Sequence, residues 1–328
     1  MKLNNYLFQL CKKREKNKEN ICLYGDSSII NSLYFDLKKV FHRELIKKIF
    51  SELKVPYQTI YCWIKGKNPI PILKAYNLLR FWQKYCEKSE EEFIDKWNLI
   101  YGASNEFSQN GQRKVKLPKE LNKDLTYVMG FFQGDGHLKK TKTRNFWEYS
   151  IYFYESSKEV LENFNDIIYK LFNIRGNIYY QSNKTGKWYS LRISSKPIYL
   201  FLKNVLGLQS GKKVREVGVP RIIKETGLPF QLSFIKGFFD AEGGVGETKK
   251  NPWLEIGQAS KNIPCEILMW VREKLKENDI ILSEPKRTEN KEYFRIRTAK
   301  RETIKRFFDI VSSNHMEKIT KFNNIINR

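Results

Sequence analysis

The sequence predicts an α+β protein in which one order of elements, helix, strands, helix, strands, helix, is written twice behind a mostly helical front segment. Three observations carry that prediction. The heptamer GFFQGDG, residues 130–136, returns about a hundred residues later as GFFDAEG, residues 237–243. The stretches that follow the two copies show the same succession of alternating and helical patterns. Residues 1–117 have no counterpart elsewhere in the chain. A repeat of this length is too long for a solenoid unit and suits a duplicated small domain. The expected division is therefore 1–117, 118–225 and 226–328.

In the front segment, RELIKKIFSELKVPYQTIYCWIKGKNPIP places Leu45, Ile46, Ile49 and Phe50 on one helical face. The tripeptide KVP ends that helix, because proline removes a donor and restricts the residue before it. YQTIYCWIKG then forms a short second helix with Ile60 and Trp63 inward and Gln58, Thr59, Tyr61 and Lys65 outward. Two helices around such a turn, near 44–67, have helix-turn-helix spacing and fit nucleic acid, with a plain helical hairpin as the alternative. Residues 1–35 carry only a coarse helical signal.

In the first repeat, Trp147, Tyr149, Ile151 and Phe153 alternate with mostly polar neighbours and predict a strand. Val160, Leu161, Phe164, Ile167, Ile168 and Leu171 recur at helical spacing. GNIYYQSNKTGKWYSLRISS reads as a hairpin turning at 183–186, and KPIYLFLKNVL as a closing helix with proline near its start. The second repeat follows suit: a strand in PWLEIGQAS, a helix in NIPCEILMWVREKLKEN, a hairpin in ILSEPKRTENKEYFRIRTA, and a helix in RETIKRFFDIVS. The connection between them, LGLQSGKKVREVGVPRIIKETGLP, is rich in Gly and Lys and holds two prolines, as a linking segment does.

With 328 residues the chain is long enough for two or three domains, and 41% hydrophobic residues with 14% aromatic are ample for packed cores. The formal charge of +24, from 60 Lys and Arg against 36 Asp and Glu, is spread along the whole chain. Such a basic folded surface calls for a polyanionic partner. No apolar run approaches the ~18 residues of a membrane span, and the start lacks the apolar core of an export signal. Five scattered cysteines without a CxxC pair, and three histidines without metal-site spacing, argue against structural zinc and a disulfide framework. A reducing cytoplasm fits, with the nucleoid as the place for a polyanion binder.

The heptamer itself carries the chemistry. Gly130 and Gly134, like Gly237 and Ala241, are four apart and share one helical face, so two such helices can bring their backbones unusually close. The phenylalanines between them turn into each half's own core. Asp135 and Glu242 follow directly after the second small residue and would arrive side by side at adjoining helix ends. Two carboxylates ~4 Å apart repel by about 4 kcal/mol at an effective dielectric near 20. A hard divalent cation between them removes that cost, and Mg²⁺ suits carboxylates plus phosphate oxygens, with Mn²⁺ as an equivalent. The backbone carbonyls of Gly134 and Ala241 are further oxygen donors there.

YVMGFFQGDG and FIKGFFDAEG together resemble the two signature helices of the LAGLIDADG homing endonucleases in their single-chain, two-motif form. The resemblance runs over 118–328 and includes the order of elements. It implies two pseudo-symmetric αββαββα halves forming a DNA-binding saddle, and Mg²⁺-dependent cleavage of both strands of a long, specific double-stranded site by a monomer. Asp135 and Glu242 match the metal-binding acids, and Lys196 and Lys300 the basic residue near the active site of each half. Ser157 and Ser260 stand where the family often has a polar residue handling water; they precede the lysines by 39 and 40 positions. Gln133 departs from the motif, whose acid is kept at Asp240. Hairpin residues expected to face DNA are Trp188, Arg192, Arg295 and Arg297, with Lys184, Lys187, Lys286 and Arg287 near the turns.

Three functions compete on this reading. The first is a site-specific DNA endonuclease whose front domain lengthens the recognised site. The second is a non-cutting regulator, or a maturase acting on intron RNA; the paired acids favour cutting over the regulator. The third, an intein nuclease, is disfavoured because the chain opens on Met1 and ends on Arg328, without splicing residues.

Overall fold

The computed structural model describes residue 3, residues 21–40, residue 47, and residues 51–327 apart from 110–112, 145–146, 184–185, 211–216, 249–250, 261–262 and 289–291. The chain divides into two compact units, one of residues 1–120 with 195–205 and one of residues 121–194 with 206–328.

In the first unit the described helices are α1 (Ser28–Val40), α2 (Tyr57–Ile64), α3 (Ile72–Tyr85) and α4 (Glu90–Ala103). They accompany a small antiparallel sheet of order β2-β1-β3, built from β1 (Ile21–Gly25), β2 (Ile70–Pro71) and β3 (Ser104–Gln109). That sheet was not legible in the sequence, because its strands are short and two run straight into or out of helices. The strand Ile21–Gly25 also corrects the helical expectation for the part of residues 1–35 that it occupies. Helix α4 starts at a capping box in which Ser89 and Glu92 satisfy each other's amides. Its Phe93, Trp97, Ile100 and Tyr101 are buried. Short helix α7 (Lys196–Leu200) and a π-helical turn, Phe201–Val205, close the first repeat in sequence but cluster with this unit, where α7 packs on β3.

The second unit is organised around two long helices, α5 (Lys123–Asp135) and α9 (Leu228–Glu242). Helix α5 is buried on every side from Leu125 to Gln133, as a central helix must be. After α5 come β4 (Gly136–Lys142), β5 (Trp147–Glu155), α6 (Lys158–Phe172), β6 (Asn177–Asn183) and β7 (Gly186–Ser194). The linker contributes α8 (Arg221–Lys224). After α9 come β8 (Gly243–Thr248), β9 (Asn251–Ala259), α10 (Glu266–Lys276), β10 (Lys286–Arg287), β11 (Tyr293–Thr298), α11 (Arg301–Ile310) and a further helix, α12 (Met316–Ile326). The sheets are antiparallel and have the same order, β4-β5-β7-β6 and β8-β9-β11-β10, so the duplication read from the heptamers extends to topology.

Each half keeps its own aromatic core beneath its sheet. Phe131 meets Phe164 at 4.6 Å and Phe153 meets Phe164 at 4.5 Å, while Phe239 meets Phe307 at 4.7 Å. Full burial of such a ring contributes about 1.5–3 kcal/mol. The phenylalanines of the heptamers thus point away from the helix pair into separate cores, leaving the small residues to face each other.

Candidate active site

The close approach of α5 and α9 is backbone on backbone. A Cβ built on Gly130 would lie 1.9 Å from the carbonyl oxygen of Phe234, and one on Gly237 would lie 2.0 Å from that of Tyr127. One on Gly134 would lie 2.5 Å from the Ala241 Cβ and 2.8 Å from the Glu242 Cγ. These contacts advance together along both helices, so the two run the same way and end side by side. Asp135 is the last residue of α5 and Glu242 the last of α9, and both are half-buried. The amides of the capping glycines Gly136 and Gly243 return to the carbonyls of Phe132 and Phe239. Their φ angles, −88° and −97°, suit any residue; glycine is required for space, since an added Cβ would meet the Phe132 or Phe239 ring at 2.3 or 2.1 Å.

Helix ends carry free carbonyl oxygens and the negative end of the dipole, so two carboxylates here concentrate negative potential. The phenol of Tyr293 senses it: burial chiefly, then Glu242, Glu255 and Asp135, push it up to about 12. Among the described residues no three His, Cys, Asp or Glu side chains gather as a metal cluster. The donor set is instead two carboxylates beside main-chain oxygens, which fits a hard cation that completes its shell with water and phosphate, as Mg²⁺ does.

Gln133 is buried and its amide donates to the Gly218 carbonyl at 2.9 Å. Asp240, also buried, accepts from the Tyr127 hydroxyl at 2.9 Å, the Asn314 amide at 2.8 Å and the Ser313 hydroxyl. Each half pins its motif helix to the chain that follows its closing helix, one by a donor and the other by an acceptor.

Among the other sequence candidates, Ser157 caps α6, its hydroxyl accepting from the Val160 amide at 3.4 Å. The buried Ser260 hydroxyl donates to the Ile263 carbonyl at 2.5 Å. Ser157 keeps a proton and Ser260 a lone pair for another partner. The two lysines are unlike: Lys196 is buried at the start of α7, whereas Lys300 is exposed as the N-cap of α11. Lys196 lies in the first unit; Asp135, Glu242, Ser157, Ser260 and Lys300 lie in the second.

The outward sheet faces are basic and aromatic. Arg192 pairs with Glu148, Arg295 with Glu255 at 3.3 Å, and Arg297 stacks over Trp253 at 5.6 Å. Trp188 shares the face of Arg192 by strand alternation, and Lys187, Lys286 and Arg287 are exposed near the hairpin ends. Lys184 lies outside the described residues. In the first unit, α2 buries Ile60, Trp63 and Ile64 and exposes Gln58, Tyr61 and Lys65, with Thr59 half-buried. Leu45, Ile46, Ile49 and Phe50, which define the first helix of the expected pair, lie outside the described residues.

Sequence reasoning missed Lys318, Tyr127, Ser313 and Asn314 around the second motif, and Trp253 beside Gly244 and Gly246. The signal for α12, apolar Ile319, Phe322 and Ile325 at helical spacing, was present. Nothing distinguished Lys318 from the other lysines.

Comparison with known proteins fits this geometry. Residues 122–206 match the family described as LAGLIDADG-like domain. The chain is 28% identical over 210 residues to the homing endonuclease I-ApeI of Aeropyrum pernix, covering 62% of this chain and 87% of that protein. It is 27% identical over 234 residues to the glutamine–fructose-6-phosphate aminotransferase of Methanocaldococcus jannaschii, covering 69% of this chain but only 20% of that protein. The chain thus spans about a fifth of that relative's length. The crystal structure of I-DmoI in complex with DNA and Mn superimposes with a TM-score of 0.42 at 24% identity, covering 59% of this chain and 98% of that one. Residues 122–206 thus match a LAGLIDADG-like domain, and a homing endonuclease is among the proteins to which the chain is similar. No helix among the described residues is long and apolar enough to cross a membrane.

Proposed function

We propose that the protein is a site-specific endonuclease that hydrolyses both strands of double-stranded DNA with a divalent metal ion, Mg²⁺ or Mn²⁺. The observation that carries this reading is the delivery of Asp135 and Glu242 side by side by two helices in backbone contact. The similarity to I-ApeI supports it, as does the charge of +24. So do the partial matches to proteins of unrelated activity, an aminotransferase, a DNA polymerase and a replication factor subunit, of which the aligned part is only 20%, 8% and 10%, as an inserted module would give.

In this proposal Asp135 and Glu242, with the Gly134 and Ala241 carbonyls, hold the metal, which when bound polarises the scissile phosphodiester and makes its water more acidic. Arg192, Arg295, Arg297, Trp188, Lys187, Lys286 and Arg287 contact the duplex, Arg192 and Arg295 exchanging glutamate for phosphate or guanine. Lys300 stabilises developing phosphate charge, and Ser157 and Ser260 orient water. The first unit adds contacts through α2, by Gln58, Thr59, Tyr61 and Lys65. The chain acts as a monomer, inside the cell on the nucleoid.

The test is selection on randomised duplex DNA with Mg²⁺, scoring bound and cut molecules separately, with Asp135→Asn and Glu242→Gln in parallel. Wild type should cut a defined sequence that both variants only bind. A sequence bound by all three and cut by none would replace the nuclease with a regulator or an intron-RNA maturase.

A further inference from the structure

We propose that Lys318 is a positioning residue for the second motif: it grips the last turn of α9 and so fixes where Glu242 and the Ala241 carbonyl leave the helix. The proposal rests on the metal reading of Glu242 given above. Lys318 reaches across from α12 and its ammonium donates to the carbonyls of Phe239 at 2.8 Å and Asp240 at 2.7 Å, the two residues before Ala241 and Glu242. The same ammonium lies 5.0 Å from the centre of the Phe239 ring. The last carbonyls of a helix run short of backbone donors; that of Phe239 accepts from the Gly243 amide, and the ammonium serves it a second time together with the Asp240 carbonyl while offsetting the dipole.

Drawing a lysine partly out of water is costly, and this one is retained by its surroundings. Burial pulls its ammonium below the ordinary value, while Asp240, Glu155, Asp135 and Glu242 pull it back up. It lines a cleft with Gly243, Gly244, Trp253 and His315 at the foot of α9. Its backbone is held independently, since Ser313 and Asn314 just before α12 bind the Asp240 carboxylate. The first half is built otherwise. Gly218 meets Gln133 where Asn314 meets Asp240, and counting on from there puts the buried Ile222 at the place of Lys318. The equivalent place in the first half thus holds an isoleucine rather than a lysine.

The test compares Lys318→Met and Lys318→Arg with wild type in the full-length protein, by Mn²⁺ titration followed through the loss of the free-ion paramagnetic resonance signal. Hydrogen exchange across 234–246 and 127–139 is measured alongside. Lys318→Met should weaken Mn²⁺ binding five- to tenfold and speed exchange in 234–246 alone, and Lys318→Arg should restore most of both. Tighter Mn²⁺ binding in Lys318→Met would mean the lysine only repels the metal and would overturn the proposal. Equal exchange in 234–246 for wild type and Lys318→Met would also overturn it. A Glu242→Gln control separates the two claims: undiminished Mn²⁺ binding there defeats the metal reading, and exchange then decides the grip by itself.

Discussion

Gly130→Ala tests the helix pair most directly. The new Cβ would lie 1.9 Å from the Phe234 oxygen, against ~3.3 Å for an ordinary carbon–oxygen contact, so the helices must part by roughly 1.4 Å. The obstruction is main chain, which no rotamer change relieves. Overpacking of this kind costs about 1–3 kcal/mol, and a backbone obstruction belongs at the upper end. Replacing a mid-helix glycine by alanine returns about 1 kcal/mol of helix propensity. The net expectation is a loss of about 2 kcal/mol, readable as a fall in the urea midpoint with unchanged slope. Gly237→Ala should behave alike, its Cβ meeting the Tyr127 oxygen at 2.0 Å. Because one separation accommodates both methyl groups, the double variant should lose clearly less than the sum of the two. Parting the helices also moves Asp135 from Glu242, so cleavage should fall by more than the folded fraction does. A gain of about 1 kcal/mol in Gly130→Ala would mean that propensity alone acts and that the backbones do not touch.

Asp240→Asn should destabilise by about 2–4 kcal/mol, since a buried carboxylate accepting three bonds becomes a mixed donor and acceptor, whereas Tyr127→Phe should cost about 1 kcal/mol. Equal thermal midpoints for Asp240→Asn and wild type would refute the anchoring role. Burial first, and then the charge of Lys318, hold the His315 imidazole below its ordinary value, against the pull of Glu155, Asp240 and Glu317. The unfolded chain then takes up the proton first, so stability is kept above pH ~6.5 and lost as the pH falls below it. His315→Gln should flatten the decline between pH 6.5 and 5, and an unaltered decline would assign it to other groups. Lys65→Gln on the exposed side of α2 should reduce the slope of log affinity against log salt by ~0.9 if it neutralises one phosphate. An unchanged slope would take α2 off the DNA. This substitution is preferable to deleting 1–117, which would strip α7 of the strand it packs on.

Much of the candidate site was legible because its information is local. Spacing within one heptamer put Gly130 and Gly134 on one face and Asp135 at the helix end, and the second copy said the same of Gly237, Ala241 and Glu242. The duplicated order of strands and helices followed from periodicity. The strand after each heptamer is implied by the resemblance alone and not by residue pattern, since β4 and β8 bury few side chains.

The sequence by itself determined the duplication, the small-residue faces and the paired acids, because each is a pattern within a few residues of itself. Only the tertiary structure decided that the buried Asp240 is met by Asn314, 74 positions away, and that Lys318 grips the end of α9. It also decided that the closing helix of the first repeat clusters with the front segment. Hydrogen-bond partners brought together by packing leave no periodic trace, and a half-buried lysine has the same letter as an exposed one.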